Sequence, residues 1–328
     1  MKQTGLTLIE LMLSMVLGLM LLAGISSLFQ ANKQTFYSNQ SLSQIQESVR
    51  TTFGILSREL RQTGYTKCGN GNKIATILNT SANENLYKWR GIYGVDKNVA
   101  LEPVTIGTGV GERVANTSAI LVQGLQELGY SIAKHDTTGQ FTLNGSTMPF
   151  QVSDILMVCD YSQASIFQVN SISGNKLTYN KSTATPGNCQ LGLGLPGGCS
   201  NTPYYIAYSP NSSIERLVSS IWYIGNNGRT EEGGRSLYRM RLVNQGQIIT
   251  EEVVAGINDL DINYHIKNQD SWKTAADIAA ISNGWNQVDG LKLRLSVIST
   301  NSNAGSTRSD GRLQRTFTQT IALRNRQI

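Results

Sequence analysis

Glu10 is the first residue whose type and position suggest chemistry, because it stands near the start of a long apolar stretch. Residues 11–29 contain no charged side chain and consist mostly of Leu, Met, Val, Ile, Ala and Gly. An unpaired acid in lipid is strongly unfavourable, and for Asp at a helix centre the penalty is about 2.5–3.5 kcal/mol. Glu10 is therefore predicted to form an ion pair with a cation that reaches the same depth.

The histidines do not belong to a recognisable catalytic pattern. His135 and His265 are far apart in the sequence and lie in polar contexts, so each is predicted to be a surface or strand histidine. The sequence contains neither a Gly-x-Ser-x-Gly elbow nor a His-Glu-x-x-His helix, which would place a nucleophile or a metal in a fixed geometry. We therefore predict no catalytic residues and no cofactor, and a protein that is not an enzyme.

Carboxylates also occur in two close pairs, Glu251 with Glu252 and Asp259 with Asp261. Nothing in the sequence frames a cleft around them, so both pairs are predicted to lie on solvated strand faces. The alternative is a calcium site at Asp259 and Asp261 with Asn258 and Asn263, because calcium prefers oxygen ligands. The favoured prediction is that no metal is bound.

The cysteines, Cys68, Cys159, Cys189 and Cys199, form an even set. Their spacing does not suit zinc, because no Cys-x-x-Cys pair occurs and the chain has only two histidines. In an oxidising compartment they are predicted to form disulfides, and four cysteines allow three pairings. A bridge from Cys189 to Cys199 would close a flexible loop and leave Cys68 for Cys159, although the sequence alone keeps all three pairings open.

Composition limits the classes of partner. Of the 328 residues 15% are charged and 40% hydrophobic, which is typical of a globular protein and leaves room for one large domain or two small ones. The net charge of +6 is modest and scattered, with no dense run of Lys or Arg. Binding to nucleic-acid phosphates requires clustered cations, so nucleic acid is not expected as a partner.

One long helix is predicted to carry Glu10. Residues 6–29 are long enough to span a bilayer, which takes roughly 20 residues. The apolar stripe that follows has helical spacing and consists of Leu42, Ile45, Val49, Phe53, Leu56 and Leu60. No proline precedes Pro103, and Gly64 is a suitable helix end. A helix over residues 6–63 would be about 87 Å long, and the element is assigned to residues 6–64.

Residues 65–328 are predicted to form an antiparallel β-rich head. Residues 65–100 are predicted to be mostly irregular, with short strands, and later apolar or alternating runs between turn residues are typical of strands. The predicted strands span residues 118–123, 154–159, 166–169, 176–179, 204–209, 214–224, 236–243, 247–254, 257–266, 292–299 and 316–323. The fold class is α+β, because no strand–helix–strand repeat is present.

The sequence Gly-Leu-Thr-Leu-Ile-Glu at residues 5–10 resembles the processing motif of type IV pilins. The resemblance implies that residues 1–5 are a leader and that a prepilin peptidase cuts between Gly5 and Leu6. It also implies N-methylation of the new terminus on Leu6, which stands where Phe is usual. Glu10 would then pair with the terminal ammonium of a neighbouring subunit and set the register of assembly.

Phrases in the head are similar to those of PilW-type minor pilins. The sequence Arg-Glu-Leu-Arg-Gln-Thr-Gly-Tyr, followed by Cys68, is similar to the end of their long helix, and residues 154–159 and 164–169 resemble their central strand pair. Further similarity covers residues 236–239, 254–260, 291–294 and 322–326. The resemblance implies a type IV pilin-like fold, with the helix packed on the head.

The same resemblance implies a structural role in a filament. The protein would be anchored in the inner membrane with its head in the periplasm, and would later occupy the pilus tip. Its partners would be other minor pilins, the major pilin and, where one exists, a tip adhesin.

Three alternatives remain open at this point. A J-type minor pseudopilin of a type II secretion system would carry the same leader. The head could instead be a tip module that binds DNA or a host surface. An exported protein with a conventional signal peptide would be cleaved near Ser26.

Overall fold

The computed structural model describes residues 7–69, 73–79, 84–200, 202–304 and 308–326. Gly5 and Leu6, the predicted processing site, lie outside these residues. A single long helix, α1, spans Leu8–Gln62 and leads into a β-rich head. The predicted fold class, α+β with a long N-terminal helix packed on a β-rich head, is confirmed.

The two halves of α1 have different surroundings. Every residue over positions 8–36 is exposed, whereas Ile45, Val49, Leu56 and Leu60 are buried against the head. The apolar residues of the second half recur every three or four positions, so they share the face that packs on the head. The helix stops because Gly64 adopts φ +75° and donates its backbone N–H to the Gln123 carbonyl at 2.7 Å.

The head contains fourteen described strands and three short α-helices. In chain order they are β1 (Ile74–Thr76), α2 (Glu84–Tyr87), β2 (Ile92–Val95), β3 (Ala119–Asp136), β4 (Gln140–Leu143), β5 (Ile155–Cys159), β6 (Ala164–Gln168), β7 (Ser171–Ser173), β8 (Lys176–Thr178), β9 (Ser213–Asn226), β10 (Arg235–Leu242), β11 (Ile248–Ala255), β12 (Ile257–Ile266), α3 (Ala275–Ala279), α4 (Gly284–Gln287), β13 (Val288–Ile298) and β14 (Gln314–Ala322).

The larger sheet is built on the long antiparallel pair of β3 and β9. Along the edge of β9 that faces away from β3, the first residues of β9 pair with β5 and the last ones pair with β10. β10 pairs in turn with β11. Along the edge of β3 that faces away from β9, the first residues of β3 pair with β2 and the last ones pair with β4. β4 pairs with β8, and β8 pairs with β7. The described strand pairs of this sheet are antiparallel, as predicted, except that β1 runs parallel to β6.

A second sheet, with the antiparallel order β12-β13-β14, provides most of the surface on which α1 packs. Leu260, Tyr264, Leu291 and Leu293 alternate along β12 and β13 with less buried polar residues, so one face of the sheet is apolar. Residues of this face share a core with α1 and with Trp222 of β9. The second half of α1 therefore packs on residues of both sheets.

β4 and β7 lie outside the predicted strands, and two further segments differ from the sequence predictions. β3 extends to Asp136 instead of ending near residue 123, and its register with β9 shifts between Gln126 and Tyr130. Residues 204–209, predicted to be a strand, form no regular element within the described chain. Here Ile206 packs into the core and the Tyr208 N–H donates to the His135 side chain. The apolar residues of this segment anchor a loop rather than a strand.

The cysteines form two disulfide bonds. Cys68, just after α1, is bonded to Cys159 at the end of β5, with a Cα–Cα distance of 6.0 Å. Cys189 is bonded to Cys199, with a Cα–Cα distance of 5.4 Å, and closes a local loop. The first bond joins the end of the long helix to the middle of the larger sheet.

Candidate functional site

The exposed first half of α1 is the most distinctive functional surface. Within the part of the chain that the structure describes, α1 is the one helix long and apolar enough to cross a membrane. Large side chains such as Leu8, Met20 and Phe29 remain more than two-thirds exposed. A helix that is apolar on all sides requires lipid or other helices around it, so this half of α1 is suited to a membrane and to helix packing.

Glu10 lies at the first turn of this helix. Its Oε2 atom accepts hydrogen bonds from the backbone N–H and the hydroxyl group of Thr7, each at 2.9 Å. Thr7 is in an extended conformation just before α1 begins. Among the residues that the structure describes, none donates a hydrogen bond to the second oxygen, Oε1. A carboxylate can accept more than two hydrogen bonds. Glu10 is thus oriented by its own chain while one oxygen stays available to an external cation.

A polar cluster joins the second half of α1 to the head. Glu59 of α1 accepts hydrogen bonds from the Trp222 indole N–H at 2.8 Å and from Arg239 Nη1 at 2.5 Å. Arg239 also donates from Nε to Glu251 Oε1 at 2.6 Å. Its guanidinium carbon lies 5.2 Å from the Trp222 ring centroid. No local sequence pattern indicates this cluster, because its members come from α1, β9, β10 and β11.

The carboxylate pairs have different environments from those predicted. Glu251 and Glu252 are not free on a solvated face, because they pair with Arg239 and Arg229 respectively. Asp261 lies 3.9 Å from Lys97 Nζ, which opposes a role in cation binding. Among the described residues no group of three or more His, Cys, Asp or Glu could hold a metal. The calcium alternative therefore gains no support.

His135 is buried rather than exposed, and its role is structural. Its Nδ1 accepts the Tyr208 N–H at 3.0 Å, which leaves Nε2 as the protonated nitrogen facing the Tyr179 hydroxyl at 2.7 Å. The ring stacks on Phe141 with centroids 4.2 Å apart. Burial lowers the pKa of His135 to about 4. The imidazole is neutral at pH 7.

The sequence comparisons agree with the geometry of the N-terminal helix. Residues 1–26 match the family model of the prokaryotic N-terminal methylation motif. The match and the exposed apolar helix together indicate a type IV pilin-like protein, a substrate of prepilin peptidase that assembles with other pilin-like subunits. No sequence among the curated proteins matches the chain. The motif ends at residue 26, before the head, so it defines the class and does not distinguish a pilin from a pseudopilin.

Proposed function

We propose that this protein is a minor pilin of the type IV pilus, of the PilW type, and acts as a structural subunit of the complex that primes assembly and occupies the pilus tip. The position of Glu10 carries the pilin-like class, and the phrases of the head that resemble PilW-type minor pilins favour the pilus over a secretion pseudopilus. Glu10 lies at the start of the exposed apolar half of α1, inside a matched methylation motif, and its Oε1 has no hydrogen-bond partner among the described residues.

The proposed processing accounts for that position. Lys2 keeps the leader, residues 1–5, on the cytoplasmic side of the inner membrane. Prepilin peptidase cuts between Gly5 and Leu6, and the new α-amine on Leu6 is N-methylated. Cleavage creates a cation four residues from Glu10, at nearly the same depth in the bilayer. The Glu10 carboxylate of one subunit then pairs with the ammonium group of the next, and this pairing sets the axial register.

The proposed architecture follows from the two halves of α1. Residues 6–29 span the membrane and later enter the filament core, and the remainder of the helix, to residue 64, supports the head. The head, residues 65–328, lies in the periplasm, where its two disulfide bonds are stable. Addition of subunits through different surfaces generates a filament rather than a closed ring. The partners are other minor pilins, the major pilin and, where present, a tip adhesin.

Sequencing of the mature amino terminus tests the proposal. The expected result is a chain that begins at an N-methylated Leu6, and a Gly5→Leu variant that remains uncleaved in the inner membrane. A terminus at Met1 or near Ser26 would contradict the proposal. Mechanical shearing of cells then separates the two pilin-like classes, because the pilus subunit is expected in the sheared filaments and a pseudopilin is expected to stay with the cells.

A further inference from the structure

An open groove with a volume of about 1160 Å³ runs along the outer side of the second half of α1. The helix forms one wall, and β3, β14 and the residues after β14 contribute the other lining groups. Four exposed arginines line it, Arg50, Arg58, Arg61 and Arg324. Positive charge therefore converges on this groove from two separate parts of the chain.

Within the part of the chain that the structure describes, these four arginines have no partner. Within the described residues, none of their side chains makes a hydrogen bond or an ion pair. Arg216 and Arg239, in contrast, are bonded to the carboxylates of Asp154 and Glu59. Among the groove residues the acid is Glu127, which lies 3.8 Å from Lys67 Nζ. The groove thus holds several cations that no described residue of this chain neutralises.

The helix dipole explains only part of this arrangement. Cations near a helix C-terminus are stabilised within its last turn, which accounts for Arg61. Arg50 lies about three turns earlier, at 3.6 residues per turn, and Arg324 follows β14 rather than belonging to α1. Their convergence therefore requires another cause.

Gly54 adds a second feature of the groove. It lies in the interior of α1 between Arg50 and Arg58, and a Cβ atom at this position would have no atom within 4 Å. Glycine inside a helix is unfavourable by about 1 kcal/mol relative to alanine. Packing within this chain does not require the small residue. It leaves room beside the arginines for a group from outside.

The position of the groove determines which kind of anion can reach it. Arg50 is 21 residues beyond Phe29 on the same helix, and this corresponds to about 32 Å at 1.5 Å per residue. Lipid headgroups extend only about 6 Å beyond each side of the hydrocarbon core, so they do not reach Arg50. Phe53 and Leu125 add apolar surface to the lining, which favours a protein surface over a nucleic-acid backbone.

We infer that this groove binds an acidic segment of a neighbouring pilin-like subunit. The inference rests on the proposed function, because subunits whose membrane helices pack side by side also bring their second helical halves together. Carboxylates of the neighbour would pair with Arg50, Arg58, Arg61 and Arg324, and its backbone would approach α1 at Gly54. The groove would thus select partners by charge, whereas the apolar first half of the helix would not.

Photo-crosslinking in the cells that make the full-length protein tests the inference. A photoreactive amino acid replaces Gln62, an exposed residue of the groove, and a second strain carries it at the exposed Lys176 of β8 as the control position. The expected result is a crosslink from position 62, absent from position 176, to an Asp- or Glu-rich peptide of a subunit that carries its own methylation motif. No crosslink, a crosslink to nucleic acid, or a crosslinked peptide without carboxylates would overturn the inference.

Reversal of the charge of two groove arginines gives a quantitative test of the inference. Arg58→Glu with Arg61→Glu is expected to lower the crosslink yield about tenfold, because several exposed ion pairs are replaced by repulsion. The matched control is Lys176→Glu with Lys181→Glu, which makes the same change in net charge at exposed positions outside the groove. Equal yields from the two variants would contradict the inference.

A final comparison separates this inference from the proposed function. Lysine substitutions at the crosslinked acids of the partner are expected to restore the yield of the Arg58→Glu, Arg61→Glu variant, and failure of this rescue would count against direct pairing. In every strain the mature amino terminus is sequenced. A protein that begins at Leu6 and enters filaments normally without a crosslink would refute the groove and leave the proposed function intact.

Discussion

Glu59 and Trp222 are 163 residues apart in the sequence, yet the Glu59 carboxylate accepts the indole N–H of Trp222 at 2.8 Å. The same carboxylate binds Arg239 through its other oxygen. The carboxylate thus connects α1 to two neighbouring strands of the larger sheet. The orientation of the head relative to the membrane helix depends on this connection as well as on apolar packing.

Glu59→Ala is expected to lower the free energy of unfolding by about 1–3 kcal/mol, because the Trp222 indole N–H loses its acceptor and Arg239 keeps only Glu251. Urea unfolding of the full-length protein in detergent, followed by tryptophan fluorescence, measures the change. Glu47→Ala is the control, since Glu47 is exposed on the same helix and forms no ion pair within the described chain. Equal midpoints for the two variants would show that the cluster does not stabilise the head.

Acid is expected to destabilise the head through His135. Its folded pKa of about 4 lies below the ordinary value of 6.5, so the unfolded chain binds more protons between these two values. Stability therefore falls as the pH decreases through this window, by about 2 kcal/mol between pH 7 and pH 5. The urea unfolding midpoints at pH 7 and at pH 5, measured for the protein and for His135→Gln, isolate the effect. The same pH dependence in the variant would assign it to other groups.

Two glycines are expected to respond to alanine with opposite signs. Gly54→Ala is expected to raise the free energy of unfolding by about 0.5–1 kcal/mol, because the helix gains a better residue and the added Cβ meets no atom within 4 Å. Gly94→Ala is expected to lower it by about 1–3 kcal/mol, because its Cβ would lie 1.7 Å from the Tyr264 hydroxyl oxygen. Chemical unfolding measures both, and a loss of stability in Gly54→Ala would contradict the open environment described for it.

The two disulfide bonds are expected to contribute unequally. They join residues separated by 91 and by 10 positions, and cross-linking a longer loop restricts the unfolded chain more strongly. Replacing Cys68 and Cys159 by serine is expected to cost about 4–5 kcal/mol, and replacing Cys189 and Cys199 about 2–3 kcal/mol. Thermal unfolding of the two double variants tests the order, and a larger loss from the local bond would contradict it.

Glu10→Gln is expected to separate processing from assembly. The amide keeps the size of the side chain but removes the charge that would pair with a neighbouring ammonium. We expect cleavage after Gly5 to be normal and the amount of protein in sheared filaments to fall at least tenfold, the equivalent of about 1.4 kcal/mol. Ser14→Ala, also exposed in the membrane half, is the control. Unchanged incorporation of Glu10→Gln would contradict the pairing role.

Elements with a regular pattern were predictable from the sequence. The helix predicted over residues 6–63 is observed as Leu8–Gln62, and β12 has the predicted bounds, Ile257–Ile266. The strands predicted over residues 236–243 and 247–254 are observed as β10 and β11, which pair as a hairpin. In the second half of α1 and in β12 the burial period of the sequence is that of the element, because one face is buried and the other is not.

The remaining features depend on pairing between distant residues. The polar second part of β3 has little strand character alone and is held by β4 and β9. The Glu59 cluster and the arginine groove combine side chains from α1 with others at least 60 positions later. Local periodicity carries no information about such pairs, whereas Glu10 was recognisable because an acid is exceptional in an apolar segment.

The bond between Cys68 and Cys159 has a mechanical consequence. Tension along α1 would pass partly through its packing on the head and partly along the covalent chain to Cys68, six residues after the helix ends. From there a covalent route leads directly to β5, which lies between β6 and β9. The intervening chain, residues 69–158, lies in parallel with that covalent route. The load carried by the disulfide bond therefore enters the head at the interior strand β5 and not at an edge strand.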